Sequence, residues 1–316
     1  MDKEDISSQR WNSLVREGRK SVFFAELQAE VERFCQTLGI AEQRAIADNL
    51  ADLWLPTALY LVDRRNQLER PLIQGILGSQ GTGKTTLCLI LQQILGYLGY
   101  GAATLSIDDL YLTYRQRLDL QQQDPRLIWR GPPGTHDVAL GIEVIESCLQ
   151  PESTQKILLP RFDKSAFNGA GDRTKAESVV PPDILLFEGW FVGVQPLVEY
   201  PTDFPSPIIT AAERQFAWDN NARLQAYLPL WARLDSLIVL YPEDYRLSQQ
   251  WRKEAEQKMI ARGKTGMSDD ECDRFVAYFW QTLHPELYIK PLIQTADLVI
   301  EIKGDRSMNL QFNQSN

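Results

Sequence analysis

The sequence predicts an α/β protein: a doubly wound, mostly parallel sheet with a helical extension at its N-terminus. Three observations predict it. From Pro71 onward, short apolar runs alternate with helical patterns, and such alternation implies crossover helices covering a parallel sheet. One of those runs breaks into GSQGTGKTT between a strand pattern and a helix pattern. The residues before Pro71 carry apolar positions at helical spacing instead.

The elements follow in chain order. Residues 1–66 read as mostly helical. In AELQAEVERFCQTLGI, starting at Ala25, the residues Leu27, Val31 and Phe34 share one face. A second helix is expected near 41–54. Pro56 reads as the first residue of a further helix, where its missing N–H costs nothing. Strands are expected at 71–78, 102–107, 156–161, 183–188, 235–241 and 297–302. The stretch VQPLVEYPTDFPSP at 194–207 reads as a loop, because the alternation resumes after it. The expected organisation is therefore a helical extension, 1–66, packed on one α/β domain, 67–316. No internal repeat or low-complexity tract interrupts it.

Composition bounds the function. The 316 residues are 44% hydrophobic and 24% charged, enough for a large core. A net charge of −9 disfavours general binding to nucleic acid or an anionic membrane. Small anionic substrates then need basic residues that converge locally. Four scattered cysteines form no C-x-x-C, and only two histidines are present. That argues against zinc and for free thiols in a reducing cytosol. The N-terminus is charged from residue 2 and shows no apolar signal core, and no apolar run is of bilayer length. A cytoplasmic protein without a membrane partner is expected; oligomeric state leaves no signal.

The chemistry starts at Gly78-x-x-x-x-Gly83-Lys84-Thr85, the P-loop spacing. Glycines let successive N–H groups turn inward at phosphate oxygens, and the following helix aims its positive end at the same anion. Lys84 can reach the β- and γ-phosphates, and the Thr85 hydroxyl can ligate Mg²⁺. The candidate nucleotide cradle is Gly78, Ser79, Gln80, Gly81, Thr82, Gly83, Lys84, Thr85 and Thr86. A P-loop alone does not separate kinase from GTPase or transport ATPase. No N-K-x-D guanine motif and no LSGGQ segment is present, which disfavours the latter two.

Further carboxylates and cations cluster in four places. Asp108 and Asp109 end the second strand pattern, where α/β ligands bind; one could take a hydroxyl proton, or either could simply cap the next helix. The strand DILLFEG ends in Glu188, a Walker-B arrangement that sets a carboxylate near the metal. RGPPGTHD carries Arg130 and His136, and LPRFDKSAFNGAGDR carries Arg161, Asp163, Lys164 and Arg173. Such loop cations suit a small carboxylate or phosphate, though each arginine alone reads equally as surface charge. Finally, the helix YRLSQQWRKEAE, containing Arg252, leads to ARGKTGMSDDE, whose Ser268–Glu271 spacing resembles a capping box. Residues 243–268 could fold over ATP as a lid, or form a solvated helix.

Taken in order, GSQGTGKTT, SIDDLY, PRFDKS, LLFEGW and W-R-x-E-x-E resemble the phosphoribulokinase/uridine kinase/pantothenate kinase group. RGPPGTHD, LPRFDKSAFNGAGDR and FEGWFVG are similar to plant-type and cyanobacterial glycerate 3-kinases within it. The similarity spans roughly residues 50–302 by motif order. It implies ATP-dependent phosphorylation of D-glycerate to 3-phosphoglycerate, with photorespiration as the setting. The D-x-[FL]-Y register matches Asp108 to the group's catalytic aspartate, and Glu188 to its Walker-B acid. Lys84 and Arg252 would then stabilise the transferring phosphoryl group. Arg161 and Arg173, with Arg130 or His136, would clamp the carboxylate. Pro132 and Pro133 fill both variable positions of the RG-x-x-G pattern, a departure from the family's expected loop. A sister kinase for uridine, pantothenate or a sugar phosphate, or an ATP-binding regulatory protein without catalysis, are the competing readings.

Overall fold

The computed structural model describes residues 22–40, 42–150, 155–261, 263 and 266–313. The helical expectation for 1–21, and Arg262, Lys264 and Thr265 of the expected lid turn, lie outside them. The chain begins with α1 (Val22–Thr37). Its four-residue spacing buries Leu27, Val31 and Cys35 completely, each large apolar side chain contributing about 1.5–3 kcal/mol. Next come α2 (Gln43–Asn49), a π-helical turn (Leu50–Trp54) and α3 (Leu55–Leu68). Pro56 falls in the first turn of α3, as expected, but no break precedes it. The Leu55 N–H reaches back to Leu50 O, and this widened turn accommodates a proline that donates nothing to the ladder.

β1 (Leu72–Gly78) is buried along its whole length and feeds α4 (Lys84–Tyr97) through the glycine loop. β2 (Ala102–Ser106) ends in a 3₁₀ turn, Ile107–Leu110. Then follow α5 (Tyr114–Gln123), α6 (Val138–Cys148), β3 (Ile157–Asp163), β4 (Asp172–Val179) and β5 (Ile184–Gly189). The last part comprises α7 (Ala211–Arg223), β6 (Ser236–Pro242), α8 (Leu247–Ala261), α9 (Asp269–Thr282), β7 (Leu298–Ile302) and β8 (Met308–Phe312).

The main sheet has the order β2-β5-β1-β6-β7-β8. All its pairings are parallel except β7 with β8. Strand alternation divides the core. Leu72, Ile76, Ile184 and Leu186 face one side, where α1 to α4 pack with Leu27, Leu50, Leu61 and Leu91. Ile73, Leu77, Leu185 and Phe187 face the other, against Val144, Phe191, Tyr227 and Trp231. The four cysteines are buried free thiols. Among the described residues no helix is long and apolar enough to cross a membrane.

Two expectations need correction. The run at 156–161 is a strand, but not of the parallel sheet: β3 pairs antiparallel with β4 in a separate hairpin. Its partner DRTKAESV is polar and largely exposed, so it carries no apolar pattern to read. β8, an edge strand of alternating exposure, was likewise not expected.

Candidate active site

The register brings three strand ends together. Glu188 on β5 lies opposite Ile76 of β1 on one side and Ser106 of β2 on the other. The crevice therefore opens where the glycine loop, Glu188 and the Asp108 turn leave the sheet, beside its topological switch point. Gly81 and Gly83 take φ of +78° and +84°, a region glycine enters without strain. A Cβ at Gly81 would fall 2.8 Å from the Trp251 Cβ, and one at Gly78 would fall 2.7 Å from Thr82 Oγ1. The Ser79 carbonyl accepts from Thr82 Oγ1 (2.8 Å) and Lys84 Nζ (3.1 Å), which closes the loop on itself. Burial pulls the Lys84 ammonium below the usual lysine range, against the pull of Glu188 and Asp108. Ser79 Oγ and Gln80 Oε1 are buried without a hydrogen-bond partner among the described residues. Thr85 Oγ1 donates to Glu188 Oε1 at 2.8 Å; Thr86 is half-buried in the same helical turn. Two hard oxygen donors side by side fit Mg²⁺, which keeps several waters and phosphate oxygens as its other ligands.

The two neighbouring aspartates have separate surroundings. Asp109 Oδ2 accepts the Ser106 N–H (3.1 Å) and Arg161 Nη1 (3.0 Å), as part of a capping box on the 3₁₀ turn. Burial raises its carboxyl. Asp108 Oδ2 receives Lys164 Nζ at 2.6 Å. Burial alone would raise the Asp108 carboxyl too, but the Lys164 ammonium and the Tyr111 hydroxyl outweigh it and hold it low. Residues 107–110 form a 3₁₀ turn instead of continuing the strand, and within it the two side chains take different partners.

The loop cations are mostly engaged by the protein itself. Arg161 binds Asp109, Glu177 and the Thr104 carbonyl, where it covers the edge of β2 and lines a surface cavity of about 400 Å³. It is not brought to Asp108. Arg130 Nη1 donates to Gly169 O (2.6 Å) and Ala170 O (3.1 Å) in the hairpin tip. Arg173 joins the Tyr111 carbonyl to Asp137, each at 2.9 Å. Asp163 accepts from the N–H and hydroxyl of Ser165 and shapes the same tip. His136 is buried, stacks on Tyr111 at 4.6 Å, and is held neutral by burial, its pKa lowered to about 3. In the RGPPG loop, Thr135 closes the turn onto Pro132 O and the Gly131 N–H. Arg252 pairs with Glu256 at 2.5 Å and lies over the Phe275 ring.

No protein-family model matches the chain. A curated relative, the chloroplastic D-glycerate 3-kinase of Arabidopsis thaliana, is 33% identical over 252 residues, 76% of this chain. The chain spans only 54% of that relative's length. An uncharacterized kinase of Schizosaccharomyces pombe is 32% identical, over 66% of this chain and 79% of that one. A solved structure, D-glycerate 3-kinase from Cryptococcus neoformans, matches with a TM-score of 0.73 at 28% identity, over 82% of this chain and 99% of that one. The chain belongs to the family of P-loop kinases that these relatives share.

Several residues around this family's crevice escaped the sequence reading. Arg117 donates to Leu112 O, Ala170 O and Gly171 O, so it shares the hairpin tip with Arg130. A capping box, Thr113 to Gln116, starts its helix directly after SIDDLY, and this signal could have found it. Trp251 covers Gly81, and Arg306 lies over the Trp251 ring at 5.0 Å while pairing with Glu254. Trp190 Nε1 donates to Gly131 O at 3.1 Å. Gly131 itself, at φ +128°, has no room for a Cβ, which would fall 2.4 Å from Phe279. Trp190 and Trp251 stand in the FEGW and W-R-x-E-x-E motifs, but nothing in those spacings shows what each ring packs against.

Proposed function

We propose that the chain is an ATP-dependent kinase that transfers a phosphoryl group to the 3-hydroxyl of D-glycerate, yielding 3-phosphoglycerate and ADP. The observation that carries this reading is the Asp108–Lys164 contact. It brings an ionised carboxylate beside the phosphate loop to a hairpin braced by arginines, and Lys84 feels both charges. The names of the Arabidopsis and Cryptococcus relatives support the choice of substrate.

In this reading the backbone amides of 78–86 and the Lys84 ammonium hold the triphosphate. Thr85 and Glu188 hold Mg²⁺, directly or through water; the ion, when bound, offsets negative charge on the phosphates. Asp108 orients the 3-hydroxyl and takes its proton, with Tyr111 steadying the carboxylate. Lys164, Arg130, Arg173 and His136 meet the substrate carboxylate. Arg161 acts on Asp109 and thereby positions the turn. Arg252 exchanges Glu256 for the transferring phosphoryl group as the α8 region closes. The transfer needs mainly alignment and charge stabilisation, which this set supplies.

The test is ADP release from MgATP with D-glycerate, followed by NMR identification of the product. Formation of the 2-phosphate, or turnover of uridine with none of D-glycerate, overturns the proposal.

A further inference from the structure

Tyr227 is a buried residue at the end of a 3₁₀ turn, Leu224–Tyr227, in neither hairpin nor phosphate loop. Its hydroxyl oxygen accepts the Gly134 N–H at 2.8 Å and lies 2.8 Å from His136 Nδ1. A hydroxyl oxygen that accepts a backbone N–H still has one proton of its own to place. His136 Nδ1 is the acceptor within reach, so Tyr227 donates and Nδ1 accepts. A neutral imidazole with an accepting Nδ1 carries its proton on Nε2. That Nε2 is buried and has no partner among the described residues.

A buried N–H with no acceptor is costly, and native structures seldom leave one unexplained. The surroundings say what would complete it. The imidazole stacks on Tyr111, whose hydroxyl bonds Asp108. The rings of Phe191 and Tyr227 lie 5.5 and 5.8 Å from it. The charges that act on it are those of Asp108 and Arg117. Arg130 acts on Tyr111, and Arg173 Nε donates to the Tyr111 carbonyl. A neutral donor among three guanidinium groups suits an acceptor-only anion. We propose that Tyr227 fixes His136 as a neutral Nε2–H donor to a carboxylate oxygen of the acceptor substrate, which makes Tyr227 a positioning residue. The inference rests on the hydroxy-acid reading above for the identity of the carboxylate, but not for the tautomer.

The chain's two histidines make the tautomer directly measurable. His284 is an internal reference, its Nε2 facing Ser206 O at 3.0 Å and its Nδ1 accepting from the Glu286 N–H. In the full chain with ¹⁵N-labelled imidazoles and no ligand, His136 is expected to be protonated on Nε2 only, from about pH 8 down to about pH 5. D-glycerate should shift the His136 Nε2 resonance and leave His284 in place. A proton on Nδ1, or titration near the free imidazole value of about 6.5, overturns the proposal whatever the substrate. So does a D-glycerate titration that saturates by calorimetry with no movement at His136. Tyr227→Phe should raise KM for D-glycerate about tenfold with KM for ATP unchanged. His136→Gln, whose amide reaches the Nε2 position, should retain more affinity than His136→Asn. Equal losses in those two variants, or a rise in KM for ATP with Tyr227→Phe, also overturn it. Failure of the wild-type chain to turn over D-glycerate counts against the substrate reading, whereas loss of the ligand-free tautomer counts against this one.

Discussion

The phosphate side and the acceptor side of the crevice are built differently. On the phosphate side, residues 78–86 make their own geometry: Thr82 and Lys84 bind the Ser79 carbonyl, and left-handed glycines turn the chain. On the acceptor side, the cations come from separate segments and already hold protein oxygens. Lys164 holds Asp108, Arg130 and Arg117 hold the hairpin tip, and Arg173 holds Asp137. In the function proposed above, the first region is a receptor whose shape precedes its ligand. The second would exchange internal partners for substrate, so its affinity would be a difference between two sets of hydrogen bonds.

That contrast can be broken at the phosphate side first. Lys84→Ala should lower kcat by about 10³-fold, at the upper end for loss of a single stabilising donor, and weaken ATP binding. Unchanged ATP affinity and turnover would mean that the preformed loop does not hold the nucleotide. Asp108→Asn should cost about 10²–10⁴-fold in kcat while ATP still binds, since it removes basicity at the junction of the two regions.

Stability against pH separates the regions further. Burial holds His136 near 3 and His284 near 4, so both are neutral in the fold. Below about pH 6.5 the unfolded chain takes up protons that the folded chain refuses. Stability should therefore fall as pH drops, by about 1.4 kcal/mol per unit for each histidine, down to about pH 4.5 where carboxylates join in. Denaturant titrations across this window check the slope, and His136→Gln should halve it. No histidine lies in residues 78–86, so a slope unaffected by His136→Gln would remove the acceptor side from this account.

Smaller effects sharpen the picture. Arg130→Ala and Arg173→Ala should each raise KM for D-glycerate about tenfold, the loss of a charge-assisted contact offset by the freed protein acceptors. Steady-state kinetics that leave both at the wild-type KM would make these arginines hairpin braces only. Asp109→Asn should change kcat least, by a few-fold, while costing about 1–2 kcal/mol of stability through the capping box and Arg161. Thermal unfolding checks this, and a kcat loss as large as that of Asp108→Asn would move the base to Asp109.

Legibility followed the same division. The glycine loop, Glu188 and the main strands were readable because each depends on neighbours in the chain: a spacing, a periodicity, a strand end. Arg161 shows the opposite case. As a loop arginine near aspartates it resembled a ligand clamp, but its guanidinium is taken up by Asp109, fifty-two residues away, and by Glu177. The polar sequence of β4 carries no apolar alternation, and without it β3 reads as part of the main sheet. Arg117 and Tyr227 lie in stretches that look like ordinary helix.

By itself the sequence determined an α/β chain with the spacing of a phosphate loop, a carboxylate at a strand end in the Walker-B arrangement, and two loops that carry cations. Local hydrogen bonds and burial period are written in consecutive residues, and no distant partner can override a left-handed glycine turn. Only the tertiary structure decided which cation meets which oxygen. Asp108 with Lys164, Asp109 with Arg161, and His136 with Tyr227 are pairs drawn from segments fifty or more residues apart. The two aspartate pairings depend on the hairpin leaving the sheet and on the turn at 107–110, the histidine pairing on the 3₁₀ turn at Leu224–Tyr227, and a side chain's charge is the same whichever partner the fold brings to it.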